Sequence, residues 1–410
     1  MRYARTVGVG LALALVMLVA LPAHGAQVDD PITAIREVLD RRVTAIGAGD
    51  LEAFLATVDP AAPEEFRASQ RQHFNGLRSV PLDGYSLEVD DVETGDLSPP
   101  GLGDARYDGA RTFIPETTQR YRLRGYDDRD AVDSLWLTYV ERDGEWFVGG
   151  DRDLEAVGLL TGRTIWDLGP VRLLPTEHFL VISHPDRASR ADDLARLAEE
   201  AFARHARLWD QRWSERLPLI LPSSVDELEV IIQSTFDLDN FVAFVGYDVD
   251  YDAPSGYETT APRMYIQDRN LAEYDEAFQI ETLVHELVHA ATAANAGPFV
   301  DRWVHEGIAD WVATGRSPAI ERPDGSDGRI PDPFEFSTGG ARNINESYGE
   351  SRSAISFLAT RAGPGAPADL FATLGATRVA PGSVDHHVGR ALEATTAQDF
   401  AAFEKAWAGR

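Results

Sequence analysis

The spacing of apolar positions divides the chain into a helical start, a run of strands and a larger mixed unit. Over residues 31–78, apolar side chains such as Ile35, Leu39 and Ile46 recur every three or four positions, which predicts amphipathic helices. The sequence Gly-Ala-Gly-Asp at 47–50 is typical of one helix ending and another beginning. We therefore expect a layer of helices in this part of the chain.

Alternation of apolar and polar residues takes over between residues 85 and 151. Tyr121 and Leu123 alternate with arginines, which is the pattern of a strand with one buried face. Asp143-Gly144 separates two apolar runs and is a strong signal for a tight hairpin. Helices followed by an antiparallel sheet predict an α+β module over residues 27–155.

Beyond a turn-rich connector at 156–170, a second pattern of strands and helices covers residues 171–410. Short apolar runs predict strands, and longer runs with helical spacing predict helices. The predicted strands are Phe179–Ile182, Leu217–Leu221 and Met264–Gln267, and the predicted helices are 190–213 and one that begins near Glu273. The whole chain is thus expected to be α+β, with a second unit that combines a small sheet with a helical C-terminal part.

The segment 1–26 has the three parts of a secretory signal peptide. Arg2 and Arg5 give it a positive start, Val7–Leu21 is an apolar run, and small residues follow it. The alternative is an uncleaved membrane anchor, for which the run is short against the roughly 20 residues of a span. We expect a secreted protein that has no membrane-bound part after cleavage.

Composition narrows the classes of function. The chain has 67 acidic and 38 basic residues, a formal net charge of −29, and no cysteine. Such a surface repels phosphate backbones and anionic lipid, so we expect neither a nucleic-acid partner nor a membrane partner. The lack of cysteine excludes disulfides, thiolate metal ligands and a cysteine nucleophile.

A histidine–glutamate motif lies in the long helix predicted to begin near Glu273. The sequence His285-Glu286-Leu287-Val288-His289 puts two histidines on one helix face, so both imidazoles can reach one cation. Glu286 lies about 100° round the helix and can act on a water beside that cation without ligating it. Neutral imidazole suits Zn²⁺, which takes three protein ligands in catalytic sites and keeps one position open.

Two carboxylates in the next predicted helix extend the motif. Glu306 follows His289 by 17 residues and is the expected third ligand, and Asp310 lies four residues further on the same face. A carboxylate at that position can accept the second ring N–H of a ligand histidine and fix its tautomer. A closed structural zinc site would need a fourth protein ligand, and the nearby sequence has no evident one. We expect one catalytic Zn²⁺ per chain, with a structural or degenerate metal site and a metal-free helix as alternatives.

An HExxH motif followed by a distant glutamate resembles the gluzincins, the thermolysin-like branch of zinc metallopeptidases. The closer resemblance is to the peptidase MA-like domain of bacterial secreted proteins, over about residues 170–410. The sequences SYGESRSAISFL and DHHVGRALEATTAQDFAAFEKAW support it. The resemblance implies that a strand before the zinc helix, Met264–Gln267, holds the substrate backbone.

The same resemblance implies roles for individual residues. Glu286 would be the general base, and Asp310 would orient a ligand histidine, for which His285 is the expected one. Tyr348 is the first choice as donor to the oxyanion, and the alternatives are His305, His386, His387 or a mere packing role for the tyrosine. The implied zinc ligands are His285, His289 and Glu306.

The first module resembles the nuclear transport factor two-like fold, a cone of curved sheet covered by helices. The resemblance rests on the sequences AIGAGDLEAFLATVD and YRLRGYDDRDAVDSLWLTYVERDGEWFVGGD. Members of that fold are enzymes or binding modules. We interpret His73 as a surface or packing residue without a catalytic partner, and His205 as a packed helix residue.

The predicted function is that of a secreted zinc metallopeptidase that hydrolyses peptide bonds in proteins or peptides. The chain has no G-x-M-E-N-like element, which favours an endopeptidase over an aminopeptidase. The alternative is a catalytically silent zinc protein whose N-terminal module recognises a ligand or the cell envelope. An inhibitory N-terminal module and a lid at 315–340 are further hypotheses, and the sequence leaves the oligomeric state open.

Overall fold

The computed structural model describes residues 31–89, 96–233, 238, 241–250, 258–318, 320–336, 344–377 and 384–409. The predicted signal peptide lies outside these residues. No helix within the described ranges is both long enough and apolar enough to cross a membrane. The fold is α+β, as the pattern of apolar positions predicts.

The first part of the described chain is a helical layer followed by strands. Its helices are α1 (Pro31–Ala48), α2 (Leu51–Leu55), α3 (Glu64–Ser79) and α4 (Leu102–Arg106). Its strands are β1 (Leu82–Val89), β2 (Thr112–Phe113), β3 (Thr117–Leu123), β4 (Ala131–Leu135), β5 (Thr138–Arg142) and β6 (Glu145–Gly150). They form two antiparallel three-stranded sheets, ordered β1-β3-β4 and β2-β5-β6.

The local signals of the sequence explain where these elements begin and end. Gly49 adopts a φ of 72° after α1, and the Asp50 side chain accepts the Ala53 N–H at 2.9 Å, which caps α2. Asp143 and Gly144 have φ values of 51° and 85° and turn β5 into β6, as the hairpin prediction requires.

The second part of the chain is built on one five-stranded sheet. Its strands are β7 (Arg172–Pro175), β8 (Phe179–Ser183), β9 (Leu217–Leu221), β10 (Ala243–Asp250) and β11 (Glu258–Ile266). The strand order is β10-β11-β9-β8-β7. The inner strands β8, β9 and β11 run parallel, and the outer strands β7 and β10 run antiparallel to their neighbours.

Helices cover this sheet and form the C-terminal part. They are α5 (Ile165–Leu168), α6 (Ala188–Leu208), α7 (Val225–Ile232), α8 (Asp268–Leu271), α9 (Glu276–Thr292), α10 (Arg302–Ala313), α11 (Ile344–Ala362), α12 (Ala366–Gly375), α13 (Val384–Thr396) and α14 (Phe400–Ala408). The helix predicted to begin near Glu273 begins at Glu276, because the Asp275 side chain accepts the Phe278 N–H at 2.9 Å and caps it there.

The substrate strand inferred from Met264–Gln267 is wrong. Met264, Tyr265 and Ile266 end β11, which pairs with β10 on one side and β9 on the other, and Gln267 caps the helix α8 that follows. A strand with both edges paired has no free N–H and C=O groups for a further strand. The edge strand beside the helices is β10, which the sequence analysis did not single out.

The two parts of the chain share a hydrophobic core. One face of the large sheet packs on α6 and α9, and α10 packs in turn against these two helices. The other face packs on the N-terminal sheet and on the connector, where Trp166 is fully buried. Across this second contact, Asp127 accepts two hydrogen bonds from the buried Arg263 guanidinium, one of them at 2.7 Å.

His73 has a partner that the sequence did not reveal. Its Nδ1 lies 2.8 Å from Asp167 in α5, whose other oxygen accepts the N–H and hydroxyl of Thr164. Gly76, one turn further on α3, lies close to the connector: a Cβ at this position would be 2.3 Å from the Trp166 carbonyl oxygen. The His73–Asp167 pair therefore attaches the connector to α3.

Candidate metal centre

Two neighbouring helices bring the predicted ligands together. His285 and His289 lie one turn apart on α9, and Glu306 faces them from α10. The two Nε2 atoms lie 3.0 Å apart, and each lies 3.3 Å from Oε2 of Glu306. Within the described part of the chain, these three residues are the group of side chains able to hold a metal ion.

The dimensions of this triangle fit zinc. A tetrahedral zinc ion with bonds of about 2.0–2.1 Å separates its ligand atoms by about 3.3 Å. The two nitrogen–oxygen separations of 3.3 Å equal that value, and the nitrogen–nitrogen separation of 3.0 Å is slightly shorter. Two imidazole nitrogens and one carboxylate oxygen are also a donor set that zinc takes in hydrolytic sites, with a fourth position left for water or substrate.

Asp310 sets the tautomer of the first histidine. Its Oδ1 lies 2.8 Å from Nδ1 of His285, so the Nδ1–H group donates a hydrogen bond to the carboxylate. The lone pair of Nε2 is then directed at the position where a cation would bind. Burial by itself would lower the pKa of His285, but hydrogen bonds to Asp310 and Glu306 raise that pKa well above its ordinary value. The carboxylates thus favour positive charge at the centre of the cluster.

Arg302 lies beside the third ligand and was not singled out from the sequence. Its Nε is 3.5 Å from Oε1 of Glu306, one helical turn away, while Oε2 faces the histidines. Burial alone would raise the pKa of Glu306, but the histidines and Arg302 hold that pKa well below its ordinary value. The four-residue spacing between Arg302 and Glu306 is the sequence signal that could have revealed this pair.

Glu286 sits beside the triangle without joining it. Its side chain is buried, and its Oε2 has no hydrogen-bond partner within the described residues. Burial raises the pKa of Glu286, and the two histidines oppose that rise. A buried carboxylate with an unused oxygen is suited to accept a proton from a water at this place.

A small cavity of about 50 Å³ lies between these helices and the edge strand β10. Tyr348 lines it, with its ring centroid 6.1 Å from that of His285. Burial raises the pKa of Tyr348 well above its ordinary value, so the phenol keeps its proton at neutral pH and can donate it in a hydrogen bond.

The three alternatives to Tyr348 fall in different places. His305 lines the cavity, with its ring 5.8 Å from that of His289. Burial and the nearby His289 lower the pKa of His305 to about 3, so its ring is neutral. His387 packs against Phe299 and does not line this cavity, and the side chain of His386 lies outside the described residues.

No family model matches the chain, and neither a curated protein nor a solved structure is significantly similar to it. The chemical interpretation of the centre therefore rests on its own geometry.

Proposed function

We propose that the protein is a secreted zinc metallopeptidase of the gluzincin type. The single observation that carries the proposal is the triangle of His285, His289 and Glu306 with the dimensions of three zinc ligands. The unpartnered carboxylate of Glu286 beside it supplies the group that a hydrolase needs in addition to the metal.

The side chains around the triangle suit hydrolysis of an amide. A zinc ion held there would act as a Lewis acid on the scissile carbonyl and lower the pKa of a water to about 7. Glu286 takes a proton from the attacking water and passes it to the leaving amine. The Tyr348 hydroxyl donates a hydrogen bond to the carbonyl oxygen as that oxygen gains negative charge. His305 is the second candidate for this role.

The edge strand β10 offers a place for the substrate backbone. The Gln267 N–H donates a hydrogen bond to the Val242 carbonyl, so this opposed pair is hydrogen-bonded. Along β10 and β11, hydrogen-bonded pairs then alternate with pairs that are not hydrogen-bonded to each other. By that alternation Ala243 and Val245 direct their N–H and C=O groups away from β11. Both residues also line the metal cavity, so a peptide added to this edge would lie across the centre.

Export is the part of the proposal that rests on segment 1–26. Its charged start, apolar run and small residues are those of a cleaved signal. Intact mass of the protein recovered from the medium tests it: we expect a chain that begins near residue 26 or 27. A full-length chain retained in the cell membrane would contradict secretion.

Metal analysis and one substitution test the catalytic part. We expect about one zinc per mature chain and cleavage of a mixed peptide library. Glu286→Gln should retain the zinc and reduce cleavage at least about a hundredfold. Glu281→Gln, a half-exposed position on the same helix, is the matched control and should cleave at the normal rate. Zinc without cleavage in the unaltered protein would instead favour the silent zinc-binding alternative.

A further inference from the structure

The chain between α10 and α11 lies against the helices of the metal centre. We call its residues 320–336 the strap. The Ile320 carbonyl accepts a hydrogen bond from the Ser353 hydroxyl in α11 at 2.9 Å. The Ile330 N–H donates one to the Glu404 carboxylate in α14 at 2.8 Å. The strap is therefore attached to two helices of the C-terminal part.

The strap packs closely on the turn of α11 that carries Tyr348. The neighbouring Gly349 leaves room for Pro323: a Cβ at Gly349 would be 2.7 Å from Cγ of the proline. The Ser326 hydroxyl donates a hydrogen bond to the fully buried Glu350 at 2.5 Å. Because these contacts would have to break before the strap opened, they favour a fixed wall of the site over the lid that the sequence suggests for this segment.

Phe336, in the strap, contacts two side chains of the candidate site. Its ring is fully buried, and its centroid lies 5.5 Å from that of Tyr348 at an interplanar angle of 77°. This is an edge-to-face arrangement, which aromatic pairs prefer. The guanidinium carbon of Arg302 lies 5.4 Å from the same centroid, within the range of a cation–π contact. One buried ring therefore connects the candidate oxyanion donor with the arginine beside Glu306.

We propose that Phe336 is a positioning residue of the site. Its ring holds the Tyr348 phenol towards His285. It also holds the Arg302 guanidinium beside Glu306. Tyr348 is only half-buried and would be free to turn away from the cavity if the space beside it were empty. Because the Phe336 ring fills that space, the hydroxyl is in place before the substrate binds, which lowers the entropic cost of reaching the transition state. The proposal rests on the proposed peptidase function.

Replacement of the ring tests the proposal in the full mature, zinc-loaded chain. Phe336→Leu keeps an apolar side chain but loses both ring contacts, so kcat should fall at least about fivefold while KM changes less than about twofold. Zinc affinity, measured by competition with a chelator, should fall about threefold because Arg302 is less well held. Phe357→Leu is the matched control, since Phe357 is also buried, lies 5.4 Å from the ring of Phe403 and has Arg361 over its ring at 5.8 Å, and neither of these partners lines the metal cavity. The control should lose a similar amount of stability and keep its kcat and its zinc affinity.

A double-mutant cycle separates positioning from general packing. Tyr348→Phe removes the hydroxyl that Phe336 is proposed to place, so Phe336→Leu should change kcat less than about twofold in that background. An equal fold loss in both backgrounds, or an unchanged kcat in Phe336→Leu, overturns the positioning of Tyr348 and leaves the peptidase proposal standing. Phe336→Met takes the place of Phe336→Leu if that variant does not fold.

A chain that binds zinc but cleaves no peptide overturns the peptidase proposal itself. The zinc affinity of Phe336→Leu then tests the contact with Arg302 by itself, and an affinity equal to that of the unaltered protein overturns that contact as a positioning device.

Discussion

Arg302 and Glu306 lie one turn apart on α10, with Nε of the arginine 3.5 Å from Oε1 of the glutamate. The other carboxylate oxygen, Oε2, faces both histidines at 3.3 Å. The arginine side chain is 9% exposed, so water screens this contact little. The charge of Arg302 thus lies beside Oε1 of Glu306 and leaves Oε2 directed at the two histidines.

Replacement of Arg302 tests the effect of this charge on Glu306. Arg302→Gln should weaken zinc binding about tenfold, because Glu306 loses the charge that orients it, and Arg302→Lys should restore part of the affinity. Competition with a chelator measures the affinity. Arg196→Gln is the matched control, since Arg196 also precedes a glutamate by four residues but is exposed. Equal zinc affinity in Arg302→Gln and the unaltered protein would contradict a positioning role.

Replacement of Asp310 tests the orientation of His285. Asp310→Asn retains the shape but loses the charge that holds the Nδ1 proton, so zinc affinity should fall about 10–100-fold. Asp167→Asn alters the other aspartate that lies 2.8 Å from a histidine and should lower the melting temperature without changing zinc affinity. If both variants weakened zinc equally, the effect would come from general destabilisation and not from Asp310.

Gly307 allows α10 to lie close against α11. A Cβ at this position would be 2.6 Å from the Ser351 carbonyl oxygen and 2.8 Å from Cγ1 of Ile355. Gly307→Ala should therefore lower the free energy of unfolding by about 1–3 kcal/mol and reduce the zinc content, because it displaces the adjacent Glu306. Gly47→Ala, in α1 with no atom within 4 Å of the new Cβ, should be neutral or stabilising by up to about 1 kcal/mol. Denaturant unfolding distinguishes the two; a neutral Gly307→Ala would contradict the close packing.

His205 makes stability depend on pH. Its ring is buried among Phe202, Trp209 and Trp213, and neither ring nitrogen has a hydrogen-bond partner within the described chain. Burial lowers the pKa of His205 to about 4. The unfolded chain, with a pKa of about 6.5, binds the proton more readily, so stability is lost as the pH falls from about 6.5 to about 4, by up to about 3 kcal/mol.

Unfolding curves of two variants between pH 4 and pH 8 test this sign. His205→Phe should flatten the loss at low pH. His184→Gln should leave that loss below about pH 6.5 unchanged and alter the slope only above it, because the hydrogen bond to Glu227 raises the pKa of His184, and the stability that this residue contributes is lost as the pH rises from about 6.5 through the raised pKa. An unchanged slope in His205→Phe would show that His205 does not control the acid sensitivity.

Much of the fold could be predicted because it depends on neighbours in sequence. The break at Gly49-Asp50, the hairpin at Asp143-Gly144 and the strand at Phe179–Ser183 all follow from local backbone preferences and from apolar runs. The strand order could not be predicted, since nothing local in β11 distinguishes an inner strand from an edge strand. The wrong assignment of the substrate strand has this cause.

The pair His285/His289 and the pair Glu306/Asp310 follow from the sequence, because residues four apart share a helix face whatever surrounds the helix. The other side chains of the site are brought there by the packing of distant elements. Packing of α10 and α11 places Tyr348 and His305 on the cavity, and the contact of β10 with β4 connects residues 116 positions apart. Such contacts depend on how distant elements bury their apolar faces together, and no periodicity within either element specifies that partner.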